Sequence, residues 1–166
     1  YNDIYDHKGF GVKLQAGNDN SIDNNTIYDN HGVGVEFAGN TNRNGIYGNV
    51  LHDLAWDGVL LNGASDTQVA ANVIIRTNQE WPDFESNPPD GNHNLGGIVL
   101  LGTTNIEISD NRITAASAGA GNRADAAGVY LHNNTLPITI ETNLIQSSTG
   151  HGIYMSTSGA KAVIHG

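Results

Sequence analysis

Cysteine is absent from the 166 residues, so neither a disulfide nor a thiolate zinc site is available. Basic residues are scarce, with 7 Lys+Arg against 17 Asp+Glu and a formal net charge of -10, so nucleic acid lacks the basic surface that phosphate binding requires. No run of about 18 apolar residues occurs, which excludes a membrane-spanning helix. No charged-then-apolar leader opens the chain, and a secretion signal, if the protein carries one, is expected outside these residues. Also missing are a P-loop, a dinucleotide fingerprint, a Gly-x-Ser-x-Gly elbow and a His-Glu-x-x-His motif. Apolar residues reach only 38%, below the roughly 45–50% of a compact globule.

What is abundant is glycine, at 21 residues, together with asparagine. High Gly and Asn with few Lys, Glu or Leu argue against helices and for many tight turns. The apolar residues are mostly Val, Ile and Leu in short runs, which implies strands. The length suits one domain.

The sequence repeats. A Gly followed by an apolar–any–apolar triplet recurs at Gly11, Gly34, Gly58, Gly97, Gly128 and Gly152, with spacings of 23, 24, 39, 31 and 24. The base period is therefore near 24, with longer insertions in the third and fourth intervals. A second landmark keeps the same phase. Asn25, Asn49, Asn72, Asn111 and Asn143 follow their glycines by 14 or 15 residues, and Asn2 starts the series. Each lies between apolar strand residues, as Asn72 does between Val69 and Ile74.

Three short strands per coil, alternating in and out, would stack on the next coil at about 4.8 Å. One coil cannot bury its own apolar face, whereas stacked coils share a core. The pattern predicts an all-β solenoid of about six coils over residues 1–166, with insertion loops at 78–95 and 115–127. The asparagines mark the turn between the second and third strands, where each amide can bond the amides above and below. The glycines open the first strand, where the chain needs either a positive φ or close backbone passage.

These features resemble the right-handed single-stranded parallel β-helix superfamily of pectate lyases, including its Asn ladder. Strings such as Tyr28-Asp29-Asn30-His31-Gly32-Val33 resemble the β-helix modules of mannuronan (alginate) C5-epimerases and related polysaccharide lyases. That family's Tyr-Asp-Pro-His signature is absent, and the nearest string, Tyr5-Asp6-His7-Lys8, lacks the proline. The resemblance implies an extracellular or cell-surface bacterial protein acting on an acidic polysaccharide of alginate or pectate type. It places the substrate along the Gly-opened strands. The chain starts and stops in mid-coil with no capping helix. A longer protein with flanking β-helix coils is expected, and catalytic residues can lie in those flanks.

Alternation turns Lys13, Glu36, Leu60, Val99, Tyr130 and Tyr154 outward on the Gly-opened face, with Gln15, Ala38, Asn62, Leu101, His132 and Ser156 as a second row. Its middle is apolar and suits no proton transfer. Trp81 and Phe84 of the long insertion are expected to fold over that middle; if Trp81 stays exposed, it can stack on a sugar instead. The densest polar cluster is Tyr130, His132 and Tyr154, with Arg123 and Asp125 in the adjacent loop and His151 before the next strand. A uronate lyase or epimerase must remove the C5 proton. It needs a base and a cation or Arg against the carboxylate, so Tyr130, His132, Tyr154 and Arg123 are the catalytic candidates. Trp81, Lys13, Glu36, Asn62, Asp125 and His151 are candidate substrate contacts, although Lys13 opposite Glu36 is more simply a cross-strand ion pair. Asp83, Glu85 and Asp90 offer oxygen ligands for Ca²⁺, which would also bridge a -10 chain to a polyuronate. No organic cofactor is expected. The alternative to an enzyme is a non-catalytic segment of an adhesin, spike or structural repeat protein, with the cluster an ordinary polar surface.

Overall fold

The computed structural model describes residues 1–78, 96–114, 116, 127–148, 150–156 and 162–166. The expectations for Trp81, Asp83, Phe84, Glu85, Asp90, Arg123 and Asp125 lie outside the described residues.

All described regular structure is strand, arranged as three walls of stacked parallel strands. The first wall comprises Val12–Asn18, Val35–Asn42, Val59–Asn62, Gly96–Leu101, Ala127–His132 and His151–Met155. The second comprises Ser21–Asp23, Gly45–Tyr47, Ser65–Ala70, Thr104–Ser109, Thr135–Glu141 and Val163–His165. The third comprises Asp3–Tyr5, Thr26–Tyr28, Val50–His52, Val73–Ile75, Arg112–Thr114 and Leu144–Gln146. Each strand pairs with its counterpart one coil away, as in Ile4↔Ile27, Ile27↔Leu51, Leu51↔Ile74, Ile74↔Ile113 and Ile113↔Ile145. The long intervals therefore leave the register of the described strands intact.

Registered alternation makes the core. Val35, Phe37, Val59, Leu61, Ile98 and Leu100 of the first wall meet Ile46, Val69 and Ile108 of the second and Ile27, Leu51, Ile74 and Ile113 of the third in one fully buried cluster. At the corner between second and third walls stands the amide column. Asn2 donates through Nδ2 to Asn25 Oδ1 at 2.9 Å, and the same bond recurs from Asn25 to Asn49, Asn49 to Asn72, Asn72 to Asn111 and Asn111 to Asn143. The oxygens of Asn49, Asn72, Asn111 and Asn143 also accept a backbone N–H from the coil before, as Asn72 Oδ1 does from Asn49 at 2.9 Å. Each internal nitrogen also donates to backbone carbonyls, as Asn72 Nδ2 does to Ile46 and Ala70. A residue of positive φ precedes each of these amides: Asn24, Gly48, Ala71, Asp110 and Thr142. The left-handed residue bends the chain, and the amide satisfies the backbone groups that the bend exposes.

Of the two roles open to the strand-opening glycines, close passage is the one found. A Cβ on Gly58 would lie 2.5 Å from Ile74 Cγ2 and 2.6 Å from the Gly97 carbonyl oxygen. The same clash with the next glycine's oxygen recurs at Gly11, Gly34, Gly97 and Gly128, and none of these residues adopts a positive φ.

The amide column makes a quantitative prediction. Asn72→Ala strands buried donors and acceptors on both neighbouring coils and is expected to cost about 2–4 kcal/mol in chemical denaturation. Asn2→Ala, at the end of the column, should cost less than about 1 kcal/mol. Equal losses at the two positions would show that the column is not a cooperative unit.

Candidate functional site

The outer columns of the first wall follow the expected register. Lys13, Glu36, Leu60, Val99, Tyr130 and Tyr154 are successive partners, as are Gln15, Ala38, Asn62, Leu101 and His132. Their exposure is another matter. Leu60 and Val99 are 0% exposed although they point away from the axis, and they pack with Val33, Leu101, Ala127 and Tyr130, flanked by Phe10, Trp56 and Tyr154. A second apolar cluster thus closes the middle of the wall and divides the polar residues into two groups.

At one end, Lys13 Nζ stands 2.8 Å from Glu36 Oε2 and 4.3 Å from the centre of the Phe10 ring. Glu36 is only 4% exposed, so this carboxylate is withdrawn from the surface and Lys13 alone of the pair reaches solvent. His7 and His31 lie on adjoining coils, joined by a bond from the His31 N–H to the His7 carbonyl. This group does not meet the tyrosine cluster, because three coils at about 4.8 Å each separate Glu36 from Tyr130.

At the other end Tyr130, His132, Tyr154 and His151 of the expected cluster come together. Tyr130 and Tyr154 stack with ring centres 5.5 Å apart, His151 stacks on Tyr154 at 4.9 Å, and His132 lies 6.5 Å from Tyr130. Tyr130 is 5% exposed and acts as the floor of the stack, leaving His132, Tyr154 and His151 accessible. His132 Nδ1 lies 2.5 Å from Ser156 Oγ, which in turn lies 3.4 Å from the Leu131 carbonyl. If the Ser156 hydroxyl gives its hydrogen to that carbonyl, Nδ1–H donates to Oγ and Nε2 keeps a free lone pair, the form a general base requires. His132 borders a depression of about 340 Å³ lined by Asn62, Gly63, Leu101, Gly102 and Asn133. The hollow has a local cause. Gly63 and Gly102 turn the corner at φ 73° and 59° and place no side chain there. The site can therefore hold a hydroxylated ligand between two amides and one imidazole. Among the described residues, no group of three or more His, Asp or Glu side chains is placed to hold a metal ion.

Comparison with known proteins decides the family. A family model described as "Right handed beta helix region" matches residues 1–166. The chain belongs to the right-handed β-helix family. Among solved structures, a mutant of the periplasmic alginate epimerase AlgG superposes with a TM-score of 0.71 at 20% identity, over 92% of this chain and 31% of that one. The A-module of the Azotobacter vinelandii mannuronan C-5 epimerase AlgE6 gives 0.60 at 15% identity, over 98% of this chain and 49% of that one. The β-helix thus spans about a third of the first neighbour and half of the second. No curated protein sequence matches the chain.

The β-helix also carries a groove that the first-wall reading missed. Its floor is the outer side of the second wall, and it holds about 530 Å³. The signal was present in the sequence, since Ser21, Gly45, Gln68, Glu107 and Thr139 occupy one outward register column there. The third wall carries an aromatic column instead, with Tyr5 on Tyr28 at 5.0 Å and Tyr28 on His52 at 5.1 Å. Beside it, the Arg76 guanidinium hydrogen-bonds Asp53, and His52 Nδ1 adds a contact at 2.8 Å. Chiefly through Arg76, the Asp53 carboxyl is held down to about 2, despite the opposing effect of burial.

A depressed carboxyl stabilises the fold above its unfolded value near 3.9, and that contribution is lost as pH falls through about 2. In chemical denaturation, Asp53→Asn should therefore lower stability at neutral pH by about 0.2–1 kcal/mol, as suits a surface pair. The gap to the parent protein should close between about pH 4 and pH 2. A gap that persists at pH 2 would contradict the pairing.

Proposed function

We propose that this β-helix belongs to an extracellular or periplasmic enzyme acting on an acidic polysaccharide of the alginate or pectate kind, by removal of the C5 proton of a uronate. The observation that carries the reading is His132, held through Nδ1 by Ser156 at the rim of a depression and beside Tyr130, on which Tyr154 stacks. In this reading His132 Nε2 accepts the C5 proton and the electron pair passes into the uronate carboxylate. Arg123 or a Ca²⁺ ion then neutralises the developing charge. Return of a proton to the opposite face, with Tyr154 as the donor, gives the C5 epimer; cleavage of the C4–O4 bond, with the proton passing from Tyr154 to the departing oxygen instead, gives an unsaturated product. Asn62 and His151 are the accessible candidates for substrate contacts, and Trp81 and Asp125 stand as candidates from the insertions. The fold likeness to an alginate epimerase and a mannuronan C-5 epimerase supports the substrate class. A cation such as Ca²⁺, for which Asp83, Glu85 and Asp90 are the proposed ligands, would offset the repulsion between a -10 chain and a polyanion.

A second reading, a non-catalytic wall segment of an adhesin or structural repeat protein, draws on the apolar closure around Leu60 and Val99. The two readings separate in one assay. Full-length protein is incubated with polymannuronate and polygalacturonate in deuterated water, with and without Ca²⁺. Deuterium at C5 indicates an epimerase and near-UV absorption of an unsaturated product a lyase. His132→Ala should reduce either signal by about 100-fold or more without altering the thermal midpoint. Absence of both signals from the full-length protein would favour the structural segment.

A further inference from the structure

The second-wall groove is built differently from the His132 depression and points to a different ligand. It crosses five coils, from Asp19 to Thr139, so its length is about 19 Å at the strand spacing. Tyr47 provides an aromatic surface within it. A Cβ on Gly45 would lie 2.0 Å from Tyr47 Cε2, so the ring lies across the outer side of the glycine and only glycine admits it. The ring so placed lines the groove.

The polar groups around this ring are fixed by one another. The Tyr47 hydroxyl donates to Gln68 Oε1 at 2.7 Å, Gln68 Nε2 donates to Glu107 Oε2 at 3.0 Å, and Ser109 Oγ donates to Glu107 Oε1 at 3.1 Å. On the other side of the groove, Arg43 makes two bonds of 2.8 Å to the two carboxylate oxygens of Asp19. Asn105 Nδ2 donates to Asp66 Oδ1. These planar groups form a relay along the coils, and each carboxylate retains lone pairs for further donors. Ordering them in advance lowers the entropic cost of binding. Three carboxylates face a single guanidinium that is already engaged, so the groove repels polyanions and offers acceptors to hydroxyl groups.

From this combination we propose that the groove binds a neutral, hydroxyl-rich glycan laid along the solenoid axis. One pyranose ring stacks its C–H face on Tyr47, and neighbouring hydroxyls donate to Glu107, Asp66 and Asp19. Such a site lies on a different wall from His132 and would hold the protein on a neutral matrix polymer while another face works on its own substrate. It does not depend on the proposed catalytic activity.

The test is calorimetric titration of the protein with neutral hexasaccharides of β-linked glucose and of β-linked mannose, with hexamannuronate as the charged comparison, in calcium-free buffer. At least one neutral hexasaccharide is expected to bind. Tyr47→Ala should weaken that binding by about tenfold or more, as should Gly45→Ala by displacing the ring. His132→Ala should leave it unchanged. Circular dichroism melts of each variant separate lost binding from lost folding, and Gln68→Ala, an exposed polar change, gives a second probe of the relay. The proposal is overturned if neither neutral hexasaccharide binds, if folded Tyr47→Ala binds as well as the parent, or if hexamannuronate alone binds.

Discussion

Parallel stacking in register is the constraint from which everything else in this molecule follows. A strand of three residues has no stability of its own, and the whole third wall and half of the second are built of such strands. They persist because every coil presents the same hydrogen-bonding edge to the next at one spacing. The asparagine column enforces this at the corner between the second and third walls, since each amide bonds to side chain and backbone on adjacent coils. A one-residue slip would break the column and turn every inward isoleucine outward. Two independent penalties thus protect one register.

The glycine column applies the same constraint through sterics. With the oxygen of the next glycine where a methyl group would stand, the coils approach as closely as backbone allows at the opening of the first wall. Elsewhere the bends use left-handed residues, and most of those that are not glycine are Asn or Asp, which tolerate that conformation best. The scaffold is therefore specified by residues that carry little chemical information. That explains how a fold can be shared at 15–20% identity while surface chemistry differs.

On such a scaffold, function is a property of columns. Side chains one coil apart meet at strand spacing, so like residues stack: Tyr130 on Tyr154, Tyr5 on Tyr28, Tyr28 on His52. Column order also separates groups that composition alone would combine. Lys13 and His132 share a wall but lie at opposite ends of it, with an apolar seal between them. Three walls give three outward chemistries: a wall sealed in the middle with a polar group at each end, a polar groove, and an aromatic column.

The repeat was legible in the sequence alone because glycines, asparagines and alternating aliphatics each kept one phase through insertions. From those positions followed the three strands per coil, the amide column and the outward register of Lys13 through Tyr154. What only the tertiary structure decided was access. Alternation shows that Leu60 and Tyr130 point away from the axis, but they are buried in a cluster with Val33, Val99, Leu101 and Ala127, against which Phe10, Trp56 and Tyr154 pack, and alternation within the strand does not reveal that cover. Spacing makes His132 and Ser156 neighbours, as it does Gln68 and Glu107, but the bonds they form and the ring of Tyr47 lying over Gly45 are set by side-chain rotamers. Periodicity sets which residues are neighbours because backbone stacking is repetitive; exposure and side-chain partnership are set by local, non-repeating packing, which spacing along the chain does not encode.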